Sequence, residues 1–123
     1  RMTATEVRQS TIIGGPIEGK VALMFDDMIS TARSICGAAN LVRKAGAAEI
    51  HIACSHGVLC GPAIERLRET PIDSIAITNS IPLPPEKRLP NMHVLSVAPL
   101  LAEAIKRIHH DQSISAMFHE SAL

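Results

Sequence analysis

The fold is decided by residues 21–34, which read Val21-Ala22-Leu23-Met24-Phe25-Asp26-Asp27-Met28-Ile29-Ser30-Thr31-Ala32-Arg33-Ser34. Five apolar residues come first, two neighbouring carboxylates follow, and a short polar segment leads into a helical pattern. An apolar run of this kind is typical of a strand that is buried on both faces of a parallel sheet. Ligands of such sheets bind beyond the carboxyl ends of the strands, beside the start of the next helix. The stretch therefore predicts a site for a hydroxylated, phosphorylated molecule at this edge.

Helical and strand patterns alternate along the rest of the chain. Helices are predicted where apolar residues recur at helical spacing: residues 32–45, residues 62–68 and a long segment from near Pro99. Strands are predicted at residues 49–54, 74–78 and 92–97 and, as a short edge strand, at residues 113–118. Residues 55–61 are predicted to form a loop, and four prolines exclude regular structure from residues 79–91. The alternation predicts an α/β fold with a mainly parallel sheet flanked by helices, in one domain over residues 1–123.

Composition excludes two broad classes of function. The formal net charge is zero and the only aromatic residues are Phe25 and Phe118, so nucleic-acid binding lacks both a basic surface and stacking platforms. No apolar run is long enough to span a membrane, and no N-terminal signal pattern is visible, which predicts a cytoplasmic protein. The three cysteines have no CxxC spacing and are interpreted as free thiols.

The adjacent carboxylates Asp26 and Asp27 have two interpretations. Neighbouring residues of a strand point to opposite faces, so the pair can divide the binding of a ribose diol, directly or through a hydrated Mg²⁺. Alternatively, they are solvated residues of a turn, where aspartate is common.

The segment after the acids also has two interpretations. Ser30, Thr31 and Ser34 offer hydroxyls, and the predicted helix offers unpaired N–H groups near Ala32, a combination that binds anions. The alternative is an ordinary serine or threonine cap of the helix, which needs no ligand.

Residues 25–34 resemble the phosphoribosyl-pyrophosphate (PRPP) signature of the type I phosphoribosyltransferase fold. Other stretches narrow the resemblance to the C-terminal half of the ribose-phosphate pyrophosphokinase (PRPP synthetase) family: Cys54-Ser55-His56-Gly57, Gly61-Pro62-Ala63, Ile77-Thr78-Asn79-Ser80-Ile81-Pro82, Leu101-Ala102-Glu103-Ala104-Ile105 and Ser113-Ile114-Ser115-Ala116-Met117-Phe118. The resemblance runs from about residue 1 to residue 118. It implies transfer of a diphosphoryl group from Mg·ATP to ribose 5-phosphate, which gives PRPP and AMP.

The resemblance also implies roles for individual residues. Asp26 and Asp27 would contact the ribose hydroxyls and Mg²⁺. The 5′-phosphate would be held by the loop after them: Ser30, Thr31, Ala32, Arg33 and Ser34. Ser30 stands where the family usually has Asp, and Arg33 where it usually has Gly. A side chain at the Gly position can crowd the phosphate or place a positive charge beside it.

The two ends of the chain carry further implied roles. Arg1 matches a catalytic arginine of the family's flexible loop, of which residues 1–10 would be a remnant; a cloning scar is the alternative. Ser113 and Ser115 match serines that bind phosphate or ADP at an allosteric site between subunits, which implies a homo-oligomer when full-length. ATP would be bound mainly by an N-terminal half outside this chain, so the fragment alone is predicted to be inactive.

Two other functions stay open at this point. The departures at Ser30 and Arg33 are compatible with a non-catalytic, PRPP synthetase-associated regulatory subunit whose phosphate loop is degenerate. A phosphoribosyltransferase that consumes PRPP with a nucleobase would carry the same signature. The serine-containing tail and the lack of an obvious base-stacking hood disfavour that third function.

Overall fold

The computed structural model describes residues 15–119. In chain order the elements are β1 (Val21–Ile29), α1 (Arg33–Lys44), β2 (Glu49–Gly57), α2 (Ala63–Glu69), β3 (Ser74–Thr78), a 3₁₀ turn (Pro85–Lys87), β4 (Met92–Leu95), α3 (Ala98–His109) and α4 (Ala116–His119). The four strands form one sheet in the order β1-β2-β3-β4, and every neighbouring pair is parallel. The predicted α/β fold with a mainly parallel sheet is confirmed.

The core lies between one face of the sheet and helices α1 and α2. Its most deeply buried side chains come from the two central strands and both helices: Ile50, Ile52, Ile75, Ile77, Ala39 and Leu67. Gly57 allows this packing at the end of β2, because a Cβ there would lie 2.1 Å from Cδ1 of Ile77. The absence of a side chain at Gly57 therefore lets the Ile77 side chain pack against β2 near its carboxyl end.

The opposite face of the sheet is open among residues 15–119. Leu23 and Phe25 of β1 are 65% and 77% exposed, so the prediction that β1 is buried on both faces is wrong for this chain. The physical reason is that α1 and α2 pack on the same side. Helix α3 does not bury its apolar face either, since Leu101 and Ile105 are more than half exposed.

Two strands continue beyond their predicted ends. Met28 pairs with His56 and Ile29 with Gly57, so β1 runs past the two acids and β2 includes residues that were predicted as loop. Backbone pairing between neighbouring strands satisfies N–H and C=O groups whatever the side chains are, and this overrides the local pattern. By contrast, β4 ends at Leu95, two residues early.

The predicted edge strand at residues 113–118 is wrong. After α3 the chain turns at Asp111, which has a φ of 54°, and residues 116–119 form the short helix α4. The carbonyl of Ser113 accepts a hydrogen bond of 3.2 Å from Nη1 of Arg107, which holds the tail against α3. A strand needs a neighbouring edge to pair with, and within residues 15–119 the tail pairs with no strand of the sheet.

An Arg43–Asp73 cluster closes the end of the sheet that lies opposite the predicted site. The Arg43 guanidinium donates to the carbonyls of Ala47 and Ala48 at 2.9 and 2.7 Å and to Oδ2 of Asp73 at 2.7 Å. The same carboxylate oxygen accepts the N–H of Ile50 at 2.7 Å. The hydrogen bond from Ile50 and the charge of Arg43 hold the pKa of Asp73 below its ordinary value of 3.8.

Acid is expected to weaken this cluster. The pKa of Asp73 is lower in the folded chain than in the unfolded chain. Its contribution to the free energy of unfolding is therefore complete above about pH 4 and is lost as the pH falls through the folded-state pKa. Thermal unfolding at several pH values should show that Asp73→Asn lowers Tm at pH 7 and that the difference from the wild type shrinks towards pH 3. The exposed Asp111→Asn variant is the control. An equal difference between Asp73→Asn and wild type at every pH would contradict the assignment.

Candidate functional site

The candidate site lies at the carboxyl edge of the sheet, where β1 leads through residues 30–32 into α1. A pocket of about 110 Å³ lies there, lined by Asp26 and residues 28–35. A second cavity of about 390 Å³ lies along the ends of the strands, and both acids line it. Asp26 borders both cavities, so it joins the predicted phosphate pocket to the space beside it.

The two acids occupy opposite sides of β1, as the alternation of a strand predicts. Asp27 is exposed on the open face with Phe25, whereas Asp26 is half-buried and follows Met24 on the helix-covered face. Among residues 15–119, no group of three or more histidine, cysteine or acidic side chains could enclose a metal ion. Two carboxylates fit Mg²⁺, which keeps several water ligands and takes its other oxygens from substrate phosphates. They do not form a closed metal site.

The loop after the acids brings the five predicted phosphate-binding residues together. Ser30, Thr31, Ala32, Arg33 and Ser34 all line the smaller pocket. Ala32 is 4% exposed and adopts a left-handed backbone conformation, with a φ of 58° and a ψ of 8°. A left-handed residue of this kind turns successive backbone N–H groups toward one side and forms an anion-binding concavity.

Helix α1 begins without a side-chain cap. Ala32 stands at the cap position and no side chain hydrogen-bonds to the first-turn N–H groups. The alternative that Ser30 or Thr31 is an ordinary helix cap is therefore wrong. Uncapped N–H groups at a helix start retain their attraction for an anion, so the pocket offers both donors and a favourable dipole.

The loop is tied to the segment that precedes α2. The carbonyls of Ile29 and Ser30 accept hydrogen bonds from the N–H groups of Leu59 and Cys60, each at 3.0 Å. Oγ of Ser30 also lies 3.7 Å from Sγ of Cys60. These partners are thirty residues apart in the chain, so no local sequence pattern indicates them.

A hydrogen-bonded group of His56, Ser80 and Ser55 lies at the ends of β2 and β3. Nδ1 of His56 lies 2.8 Å from Oγ of Ser80, and that hydroxyl donates to the carbonyl of Ser55 at 2.9 Å. Because the hydroxyl proton is used on Ser55, Nδ1 of the neutral ring donates and Nε2 is left as the acceptor. The sequence contains no local signal for the pairing of His56 with Ser80, because the two residues are 24 positions apart.

The two buried cysteines lack the lowered pKa that a nucleophilic thiol needs. Desolvation by burial raises the pKa of the Cys54 thiol, which donates to the carbonyl of Asp27 at 3.7 Å and to that of His56 at 3.5 Å. Burial also raises the pKa of Cys36. Both groups remain protonated thiols at neutral pH, and Cys54 supports the backbone beside the acids.

Three predicted site residues remain: Arg1, Ser113 and Ser115. Arg1 is outside the described residues, as is the remnant of a flexible loop predicted at residues 1–10. Ser113 and Ser115 are exposed in the turn between α3 and α4. No helix within residues 15–119 is long and apolar enough to cross a membrane.

Comparisons with known proteins place this geometry in a family. The family model described as phosphoribosyl synthetase-associated domain matches residues 2–119. The chain is 78% identical over 120 residues to the ribose-phosphate pyrophosphokinase of Rhodopirellula baltica and 47% identical over 120 residues to that of Clostridium acetobutylicum. Each match covers 98% of this chain and 38% of the relative, so the chain spans well under half of their length.

A solved structure gives the same assignment. The phosphoribosylpyrophosphate synthetase of Mycobacterium smegmatis matches with a TM-score of 0.77 and 43% sequence identity, over 80% of this chain and 33% of that chain. Relatives that carry an enzyme's name at this level of identity do not favour the alternative of a non-catalytic regulatory subunit. The chain belongs to the phosphoribosyl synthetase-associated domain family.

Proposed function

We propose that this chain supplies the ribose 5-phosphate half of the active site of a ribose-phosphate diphosphokinase, which converts ATP and ribose 5-phosphate to AMP and PRPP. One observation carries the proposal: Asp26 borders a pocket whose other walls are the hydroxyl-bearing loop and the uncapped start of α1. A phosphate fits the donors of the loop, and a ribose diol fits the carboxylates beside it.

In this proposal each part of the edge has a separate task. The loop hydroxyls and N–H groups bind the 5′-phosphate, and Arg33 at the first position of α1 adds a positive charge. Asp26 and Asp27 accept hydrogen bonds from the ribose hydroxyls and so orient the sugar. Arg33 lines the pocket without filling it, which supports binding despite the replacement of the family's usual glycine.

The reaction needs positioning more than covalent chemistry. The 1-hydroxyl oxygen of ribose 5-phosphate attacks the β-phosphorus of ATP, and the bond from that phosphorus to the oxygen shared with the α-phosphate breaks. AMP leaves, and the hydroxyl proton passes to water. The PRPP synthetase family is generally Mg²⁺-dependent, and Asp26 and Asp27 would hold the hydrated ion, which supplies positive charge beside the triphosphate.

Several further features belong to the same proposal. ATP is bound mainly by parts of the full-length protein beyond this chain, and the full-length protein is a cytoplasmic homo-oligomer. Phosphate or ADP acts as an effector through Ser113 and Ser115. Family membership supports these statements, together with the exposure of both serines.

Titration of ribose 5-phosphate into the isotope-labelled chain tests the proposal. We expect the amide signals of residues 26–34 to shift in a saturable way, with inorganic phosphate moving the loop signals and ribose without phosphate leaving them in place. The same chain with ATP and Mg²⁺ is expected to release no AMP, because it spans only 38% of its relatives. Silent amides at residues 26–34 would refute the binding site, and clear AMP release would refute the division of the active site.

A further inference from the structure

Three consecutive carbonyl groups of the β1–α1 loop are held by one segment of the chain. The carbonyls of Ile29 and Ser30 accept backbone hydrogen bonds from the N–H groups of Leu59 and Cys60, respectively. The carbonyl of Thr31 accepts a hydrogen bond of 2.8 Å from Nη1 of Arg66. The first two bonds are made by backbone and would survive most substitutions. The third depends on one side chain, which reaches from α2 across thirty-five residues of sequence.

The two segments that meet here both contain strained backbone. Ala32 has a φ of 58° and Leu59 a φ of 46°, and both residues are almost completely buried. A non-glycine residue in this region is strained and persists only where its surroundings enforce the conformation. The bond from Arg66 acts on the residue immediately before Ala32, so it lies where that enforcement is needed.

We propose that Arg66 is the positioning residue of the phosphate loop: its guanidinium holds the Thr31 carbonyl away from the pocket and so keeps the N–H groups around Ala32 turned toward it. Arg66 does not line the pocket of residues 26 and 28–35, so it acts through the backbone and not by touching the phosphate. The inference rests on the proposed function for its ligand, but the conformation of the loop is testable without any ligand.

Charge adds to this geometric role. The guanidinium carries a permanent positive charge close behind the loop, which favours a phosphate dianion on the other side. Arg66 is half-buried as a residue, but its hydrogen bond to Thr31 is exposed to solvent, so this charge effect is smaller than the geometric one. A lysine at the same position would keep the charge and one donor, whereas methionine would keep only the length and the apolar stem.

The test compares Arg66→Met, Arg66→Lys and Arg68→Met in this chain. Arg68 is an exposed arginine of the same helix and serves as the matched control. Inorganic phosphate and ribose 5-phosphate are the probes, and amide NMR reports both affinity and the backbone conformation of Ala32. Strand amide signals show at the same time whether each variant is folded.

Before ligand is added, we expect Arg66→Met to move the chemical shifts of Ala32 out of the range that is typical of a left-handed residue. We also expect it to lower the affinity for each of the two probes about tenfold. Arg66→Lys should recover most of that loss, and Arg68→Met should change either affinity by less than about twofold. Unchanged Ala32 signals and unchanged affinities in a folded Arg66→Met variant would overturn the proposal. If Arg66→Met does not fold, Arg66→Gln, which also lacks the guanidinium, replaces it. Wild-type Ala32 signals and wild-type affinities for both probes in Arg66→Gln would overturn the proposal, whereas loss of both would support it.

The two proposals fail in different ways. A wild-type chain that binds neither phosphate nor ribose 5-phosphate refutes the proposed function, while the ligand-free signals of Ala32 still decide the role of Arg66. Conversely, unchanged Ala32 signals together with wild-type affinities in a folded Arg66→Met variant refute the positioning role alone, because the wild type still binds both probes.

Discussion

Replacing Asp26 by asparagine is expected to weaken the binding of ribose 5-phosphate by roughly 10- to 100-fold, because hydrogen bonds to a charged acceptor contribute about 1.5–3 kcal/mol. Asp26 is the acid that borders both cavities, and asparagine keeps its shape while removing the charge. Inorganic phosphate should bind as well as before or slightly better, because a repelling carboxylate is removed from beside the anion. Calorimetric titration of both ligands, with and without Mg²⁺, provides the measurement.

The opposite responses of the two ligands make this prediction specific. Asp111→Asn is the control, since Asp111 is exposed in the turn after α3 and lies far along the chain from the loop. An equal loss of affinity for both ligands in Asp26→Asn would show that the substitution disturbs the loop, and would contradict the assignment of Asp26 to the sugar.

Replacing Ala32 by valine is expected to lower the free energy of unfolding by about 3 kcal/mol and to abolish phosphate binding. Two physical effects combine. A β-branched residue is a severe outlier at a φ of 58°, and the added methyl groups must enter a site where alanine is already 4% exposed. Urea denaturation measures the first loss, and phosphate titration of the folded fraction measures the second.

Two other variants isolate the cause. Ala45→Val changes the same atoms at an exposed position with a φ of −79°, so the free energy of unfolding should change by less than about 0.5 kcal/mol. Ala32→Gly relieves backbone strain but loses a buried methyl group, so the two changes in the free energy of unfolding largely cancel. Phosphate binding is expected to persist in this variant. Wild-type stability in Ala32→Val would mean that the left-handed conformation is not required.

The sequence predicts the fold well because strands and helices follow local periods. The apolar run before Asp26, the helical spacing after Ala32 and the alternation around Ile50 each place an element within a few residues of its observed position. The exceptions occur where backbone pairing between strands, or the absence of a strand to pair with, determines the conformation. β1 and β2 run further because their ends pair with each other, whereas residues 113–118 pair with no strand among residues 15–119.

Some features of the candidate site also follow from the local sequence, whereas others do not. The acids, the hydroxyls and the start of α1 are adjacent in the sequence, so their meeting at one edge follows from the strand–loop–helix order alone. Local order does not show that Ala32 is left-handed or that the helix lacks a side-chain cap. Those features support the proposed anion pocket over an ordinary turn.

The sequence by itself therefore determined the α/β class and the family, and it places the five residues that are predicted to bind phosphate next to one another in one loop. Only the tertiary structure decided how that loop is held, since Leu59, Cys60 and Arg66 reach it from a distant part of the chain. It also decided that one face of the sheet is open. The physical reason is that local periodicity encodes which face of an element is apolar, whereas contacts between distant residues depend on how the elements pack.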